Sequence, residues 1–385
     1  MIPIIKFIDS KIGGLLCGFF GFFVKKKNVL PQSMSPKNLL VIQLWGIGET
    51  ILTLPAIGAL RKKFPEARLD VLCTSRNVLV YSENKNIDNI LTVKINPFSL
   101  KLFVLKNFRK YDLVVDMEEY LNSSALLAFF TGKSRIGYSQ GVRSKLYTSR
   151  VNYNDGQHAV QTFLDLVRIL NIKYDTANLP SLDFSESDKK FVEKFLKGME
   201  VRKNDFIVCI APGTAESAKS RRWPGERYSE LCDEIAIRYN AKIIFVGTSE
   251  ENRVIQAIIE KMENKSRTVN SSGRLKLKQL FCLIKKAEFF VGNDAGPMHI
   301  AAAQGVKTIG LFGPNLPTRF GPYGRRNIGV YKGYNCEFSP CINVHKAQVP
   351  NCLYPRDSND YQKCMKNISV DDVLKSVESL VKPLN

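Results

Sequence analysis

The chain is short of acid. Its 385 residues carry 36 Asp and Glu against 56 Lys and Arg, a formal charge of +20 with a pI of about 9.5. That balance points to anionic partners: nucleic acid, anionic lipid or phosphorylated ligands. No recognisable nucleic-acid module is present and the basic residues are spread along the chain, so nucleic acid is not the expected partner. Histidine is scarce, with three residues. No apolar run reaches the ~20 residues that a membrane-spanning helix needs. No small-residue cleavage site follows the apolar stretch near the N-terminus, so a cleaved secretion signal is not expected. The nine cysteines include no CxxC knuckle, which weakens a zinc reading. Cys17, Cys73, Cys209, Cys232 and Cys282 stand singly in apolar runs and read as buried thiols in a reducing cytoplasm. A complete GxGxxG is missing as well. "LWGIGET", Leu44 to Thr50, supplies Gly46 and Gly48, but position 51 is Ile. Asp70 opens the second strand's "DVLC" instead of ending it. Both departures argue against a redox-dinucleotide site.

What is present begins with "IGGLLCGFFGFFV", 12–24, wholly apolar or glycine and followed by Lys25, Lys26 and Lys27. A helix lying in the headgroup plane, its lysines on anionic lipid, fits this pattern. A helix packed on the protein's own surface is the alternative. "PQSMSPKN" reads as a linker. From 38 to about 138, apolar strand-like runs alternate with helical ones: "NLLVIQL", the helix 50–64, "RLDVLC", "ILTVKI", a helix near 98–109, "YDLVVDM", a helix near 121–130, and "SRIGYS". A charged helix, 186–198, follows and is suited to bridging domains. A second series then runs through "DFIVCIAPG", "AKIIFVG", "EFFVGND" and "KTIGLFG", with helices between. Alternation of this kind predicts parallel sheets covered by helices, with ligand at the carboxyl ends of the strands. The expected layout is a membrane-associating helix and linker over 1–34, an α/β domain over 35–185, a second over 186–365, and a C-terminal helix over 366–385 packing back between domains.

Two loops carry candidate chemistry. Glycines 46 and 48 let the backbone turn sharply and approach a ligand. Glu49 then falls at a helix N-terminus, where a carboxylate also serves as an ordinary dipole partner. In "FFVGNDAGPMHIAAAQGVKTIGLFGP", 289–314, the strand ends in Gly292-Asn293-Asp294-Ala295-Gly296. Pro297 suits the first helical turn. His299 lies in that turn, where free N–H groups and the dipole favour an anion such as a pyrophosphate. Asp294 as a plain helix cap is the alternative.

"NDAGPMHIAAAQG" followed by "TIGLFGP" resembles the signature of glycosyltransferase family 9, which contains the lipopolysaccharide heptosyltransferases. "LWGIGETILTLPAIGALRKKFPEARLDVL", "APGTAESAKSRRWPGERYSELCDEI" and "FVGTSEE" agree with it in order and spacing. The resemblance covers roughly 38 to 380. It implies a GT-B fold, two Rossmann-like domains facing a central cleft, with the donor on the C-terminal domain and the acceptor on the N-terminal one. It implies inverting transfer of a sugar, ADP-heptose being the best-known donor, onto a lipid-linked oligosaccharide, with no essential metal or other cofactor. Glu49 stands where the family has an Asp proposed as general base; it keeps the carboxylate and lengthens it by one methylene. Asp294, Gly296 and His299 match the donor signature, and Ala295 replaces a Ser or Thr, removing one hydroxyl contact to the diphosphate. Arg221 stands at the family's phosphate-contacting Lys, flanked by Lys219 and Arg222, with Thr214 and Ser217 as further donors. Glu250 or Glu251 would accept from the ribose hydroxyls.

Cys336, Cys341, Cys352 and Cys364 cluster late in the chain. A structural zinc, with His345 as a substitute ligand, or a cross-link is one reading; four thiols in a folded loop is the other. The expected protein is therefore a glycosyltransferase of envelope polysaccharide assembly, attached to the inner face of the bacterial cytoplasmic membrane. A two-domain sugar-nucleotide epimerase and a non-catalytic polyanion-binding protein are the alternatives.

Overall fold

A computed structural model describes residues 7–24, 35–343, 348 and 350–383. Lys25, Lys26, Lys27, residues 31–34 of the expected linker and His345 lie outside the described residues. The chain divides into two compact units, Met1–Thr176 and Ala177–Asn385.

Each unit is built on a six-stranded parallel sheet. In the first, β1 (Asn38–Ile42), β2 (Arg68–Cys73), β3 (Asn89–Thr92), β4 (Tyr111–Asp116), β5 (Gly132–Tyr138) and β6 (Ser149–Val151) lie in the order β3-β2-β1-β4-β5-β6. In the second, β7 (Ile207–Ala211), β8 (Lys242–Phe245), β9 (Thr268–Asn270), β10 (Phe289–Asn293), β11 (Lys307–Phe312) and β12 (Asn327–Tyr331) lie in the order β12-β11-β10-β7-β8-β9. The two orders are the same doubly wound pattern, as expected of two Rossmann-like domains. Central strands are buried on both faces: Leu39 to Ile42 and Ile207 to Ala211 are continuous apolar runs for that reason. The edge strands β6, β9 and β12 are short or half-polar, and the sequence pattern does not single them out.

Helices fill the crossovers and flank the sheets. In the first unit the longer ones are α1 (Gly14–Gly21), α2 (Ile47–Lys63), α3 (Pro97–Asn107), α4 (Asn122–Thr131) and α5 (Ala159–Arg168). In the second they are α6 (Glu186–Gly198), α7 (Gly225–Arg238), α8 (Asn252–Lys261), α9 (Leu277–Ile284), α10 (Gly296–Ala303) and α11 (Val370–Leu380). The charged helix α6 opens with a capping box of Ser185 and Asp188, buries Val192 and Leu196, and packs on α9 of its own unit. The last helix, α11, packs on α7 and the β11–β12 edge of the second sheet. Tyr239 OH donates to Val381 O at 3.0 Å, and Arg238 pairs with Glu378 at 2.6 Å.

The N-terminal segment is docked on the first unit. Asp9 accepts from the backbone N–H of Asn122 at 2.9 Å and of Ser123 at 2.8 Å, capping α4 from outside its own helix. Cys17 is wholly buried. Gly13 and Gly21 lie so close to Asn122 and Lys145 that a Cβ on either would come within 3 Å of those side chains. The opposite side of the segment exposes Phe7, Ile8, Ile12, Leu15, Phe19, Phe22 and Phe23. One face thus packs on the protein itself and the other does not. Among the described residues no helix is long and apolar enough to cross a membrane.

Candidate functional site

In a doubly wound sheet the crevice opens where the strand order reverses, at the carboxyl ends of the two central strands. Those are β1 and β4 in the first unit, β7 and β10 in the second. The loops 44–50, 212–222 and 292–299 follow β1, β7 and β10 at these places, while the 246–251 segment follows β8.

In the first unit, Gly46 takes φ +65°, a left-handed conformation that glycine adopts without strain. The turn folds Glu49 back over it, so that a Cβ on Gly46 would lie 1.9 Å from Glu49 Oε2. Gly48 is buried and Glu49 half-buried in the first turn of α2. The end of β4 holds this loop. Glu118 Oε1 accepts from Leu44 N–H at 2.5 Å and from Trp45 N–H at 3.0 Å. Burial, and then the Asp116 carboxylate, push the Glu118 carboxyl up to about 8, against the Leu44 N–H and Arg143, which lower it. Asp116 itself is wholly paired: Oδ2 accepts from Arg143 at 2.7 Å, Tyr147 OH at 2.7 Å and Ser124 Oγ at 2.8 Å. Arg143 also donates to Glu118 O at 2.5 Å. Asp116, Glu118 and Arg143 were not singled out from the sequence. The signal available was "VVDMEEY", three carboxylates directly after an apolar strand, at positions 116, 118 and 119.

In the second unit, Asn293 ends β10 and staples the crevice. Its Oδ1 accepts from Trp223 N–H and Tyr228 OH, both at 3.1 Å, and its Nδ2 donates to Pro212 O at 2.8 Å. Asp294 does not cap α10. The cap residue is Ala295, in extended conformation, and its side chain makes no capping bond. The Asp294 carboxylate is instead occupied sideways, accepting from Asn315 Nδ2 at 2.9 Å and pairing with Arg221 at 3.1 Å. Arg221 Nη1 also donates to Asp294 O at 3.2 Å. Among the described residues no side chain caps this first turn: the Gly296 N–H has no side-chain acceptor, the Met298 N–H donates to Ala295 O at 3.1 Å, and His299 is buried in the same turn. An uncapped helix N-terminus beside a guanidinium is an anion seat.

The flanking loop 212–222 has a more structural character than its sequence suggests. Thr214 is buried and its hydroxyl is spent inside the loop, donating to Ala218 O at 3.0 Å and accepting from Arg222 Nε at 3.1 Å. Lys219 pairs with Glu216 at 2.6 Å, and Ser217 is exposed. Glu250 and Glu251 are separated clearly. Glu250 is exposed beside Ser249. Glu251 accepts from Thr248 N–H at 2.8 Å, and its carboxylate lies over the end of β7: a Cβ on Gly213 would meet Glu251 Oε1 at 2.0 Å. The late cysteines converge. Cys336, Cys341, Cys352 and Cys364 all line one small cavity, each as a free thiol. Among the described residues no group of three or more His, Cys, Asp or Glu is arranged to hold a metal ion.

With this geometry in view, the comparisons with known proteins become informative. The model of glycosyltransferase family 9 (heptosyltransferase) matches residues 105–348. Lipooligosaccharide heptosyltransferase 2 of Campylobacter jejuni is 22% identical over 350 residues, which cover 90% of this chain and 98% of that protein. Among solved structures, a family 9 glycosyl transferase from Veillonella parvula superimposes with a TM-score of 0.75 at 22% identity, covering 89% of this chain and 97% of the other. An Escherichia coli structure described as ADP-heptose lps heptosyltransferase II gives a TM-score of 0.68 at 19% identity, covering 89% and 98%.

Proposed function

Because the chain belongs to glycosyltransferase family 9, we propose that it transfers a heptose from ADP-heptose, with inversion, onto a lipid-linked lipopolysaccharide core. The observation that carries the donor half is the uncapped N-terminus of α10 beside Arg221. In this reading the diphosphate accepts from the N–H groups of Ala295 and Gly296 and from the Arg221 guanidinium. Arg221 has a second task. It neutralises Asp294, which otherwise would place a bare carboxylate next to the phosphates. Its Nε, buried with no hydrogen-bond partner among the described residues, leaves the guanidinium with donor capacity to spare. His299 adds a polar edge in the same turn; Ser217 is exposed on the neighbouring loop and Lys219 is paired there with Glu216. We assign the ribose hydroxyls to Glu251, and its carboxylate lying over Gly213, past the end of β7, supports that choice. Thr214 supports the loop and leaves its hydroxyl there.

Glu49 is the base. It takes the proton from the acceptor hydroxyl as that oxygen attacks the anomeric carbon; the bond from that carbon to the diphosphate oxygen breaks, and ADP leaves with the negative charge. The helix N-terminus and Arg221 stabilise that charge as it develops, so this reading requires no metal ion. The exposed apolar face of the N-terminal segment, with the basic charge of the chain, supports peripheral attachment to the anionic inner leaflet where such an acceptor is made. Family membership takes the place of the epimerase and polyanion-binding alternatives.

The test is a binding scan of the purified chain with ADP, UDP, GDP, CMP and their sugar conjugates, read as thermal shifts. ADP and ADP-heptose raise Tm; Arg221→Ala and His299→Ala abolish the rise. A shift with a different nucleotide alone would replace the proposed donor. No shift with any of them, in protein that melts cooperatively, would sink the donor site.

A further inference from the structure

The N-terminal segment is not the only surface helix with apolar residues facing outward. Helix α3 is apolar on both sides. Leu100, Phe103 and Val104 pack into the core of the first unit. Phe98, Leu102, Leu105 and, just past its end, Phe108 point out, with Phe98 79% and Leu105 67% exposed. A contiguous exposed apolar stripe marks an interaction surface, so something is expected to cover it.

The two exposed stripes belong to one face. Helices α1 and α3 both pack on α4. Phe20 of α1 packs tilted against Phe129 and edge-to-face against Phe130 at the end of α4, with ring centroids 5.5 and 5.0 Å apart. The next contact leads to α3: Arg109 N–H donates to Phe130 O at 2.9 Å. Phe130 is thus met by Phe20 of α1 and by the backbone just past the end of α3, while Phe22, Phe23, Leu105 and Phe108 are all exposed, Phe22 at 86%.

Charge around this face has one sign. Residues 89–111 contain Lys94, Lys101, Lys106, Arg109 and Lys110 and no Asp or Glu. Residues 120–154 again contain no Asp or Glu, and their exposed charges are Lys133, Lys145 and Arg150, Arg135 and Arg143 being buried. Within 7–24 the single acid is Asp9, whose carboxylate is used to cap α4. Lys101 lies within the apolar stripe of α3, and Lys145 reaches over the ring of Phe22, 6.0 Å from its centroid.

We propose that α3 and the N-terminal segment together form a single docking face for an anionic lipid bilayer, with Phe98, Leu105 and Phe108 inserting beside Phe19, Phe22 and Phe23. This rests on the attachment proposed above and adds a second inserting element to it. Apolar side chains ringed by lysines match the boundary between headgroups and acyl chains. A two-fold contact with a second copy would instead set Lys101, Lys106 and Lys145 against like charges, because such an interface brings the same patch from each side. Two separated inserting points also fix the orientation of the first unit on the membrane, which one helix alone leaves free to roll about its axis.

Flotation of the full chain with phosphatidylcholine vesicles, with and without phosphatidylglycerol, tests this. Wild type floats with the phosphatidylglycerol vesicles and is released by salt. Leu105→Gln/Phe108→Gln and Phe22→Gln/Phe23→Gln each weaken partitioning roughly tenfold, corresponding to ~1.4 kcal/mol. All four side chains are exposed, so melting temperatures stay at the wild-type value. If the α3 pair floats like wild type while the Phe22/Phe23 pair does not, α3 is no part of the face, though attachment stands. If wild type itself fails to float, attachment and this inference fall together. If the α3 pair turns a dimer into a monomer in size-exclusion chromatography without vesicles, the face is a protein interface and the inference is overturned.

Discussion

Glu118 offers a measurement that separates two opposing electrostatic terms. It is buried and accepts two backbone N–H groups from the loop that carries Glu49. Those bonds and Arg143 favour the carboxylate; burial and Asp116 favour the neutral acid, and they prevail, raising the group from 4.5 to about 8. An acid whose folded value is raised holds a proton that the unfolded chain has already released. Its contribution to stability is full below 4.5 and is lost as pH rises toward 8. The loss runs at about 1.4 kcal/mol per pH unit inside that window, or on the order of 3 kcal/mol by pH 7. Glu118→Gln is neutral at every pH and keeps an oxygen for Leu44 and Trp45 N–H. Its stability advantage over wild type should therefore grow steadily from pH 5 to pH 8. The chain has two tryptophans, Trp45 in the first unit and Trp223 in the second. Incorporating 5-fluorotryptophan gives one 19F resonance per unit, so urea titrations follow the first unit separately from the second. A wild-type-to-variant difference that stays flat from pH 5 to pH 8 would refute the reasoning. It would mean that Glu118 is ionised when folded and that the N–H groups and Arg143 outweigh its burial.

Three further outcomes are expected. Glu49→Gln lowers kcat by about 10²- to 10⁴-fold, the usual contribution of a general base, and leaves ADP affinity by calorimetry unchanged; a weakened nucleotide site would assign Glu49 to the donor instead. Gly213→Ala puts a methyl where the Glu251 carboxylate lies and weakens ADP roughly tenfold, ~1.4 kcal/mol, while pyrophosphate binding is unaffected; equal losses for both ligands would count against the ribose contact. Asp9→Ala removes the cap on Asn122 and Ser123 at a cost of about 1 kcal/mol, seen as faster hydrogen exchange at 122–123 and easier proteolysis of the N-terminal segment. Unchanged exchange there would show that the glycine and Phe20 contacts hold the segment by themselves.

Much of the fold was legible because it follows from short-range pattern. Continuous apolar runs such as "NLLVI" and "IVCIA" belong to strands buried on both faces, and glycine loops between them mark the carboxyl ends. Edge strands such as Ser149–Val151 and Thr268–Asn270 escaped notice, being short and only partly covered. The loop motifs were legible as well: Gly46–Glu49 and 292–299 both fall at the switch points of their sheets. Individual roles were less so. Thr214 reads as a ligand hydroxyl in the linear pattern but bonds Ala218 and Arg222 once the loop closes.

The sequence by itself determined the two parallel α/β units, the family, and the loops that carry the chemistry, because periodicity, glycine placement and local motifs are properties of neighbouring residues. Only the tertiary structure decided the partners. Asp294 meets Arg221 and Asn315 across 73 and 21 positions of chain, and Glu118 reaches back 74 to Leu44. The helices carrying the two exposed apolar stripes are far apart in sequence and meet only because both pack on α4. Burial and charge compensation depend on which distant groups a chain brings together, and a linear pattern does not encode that.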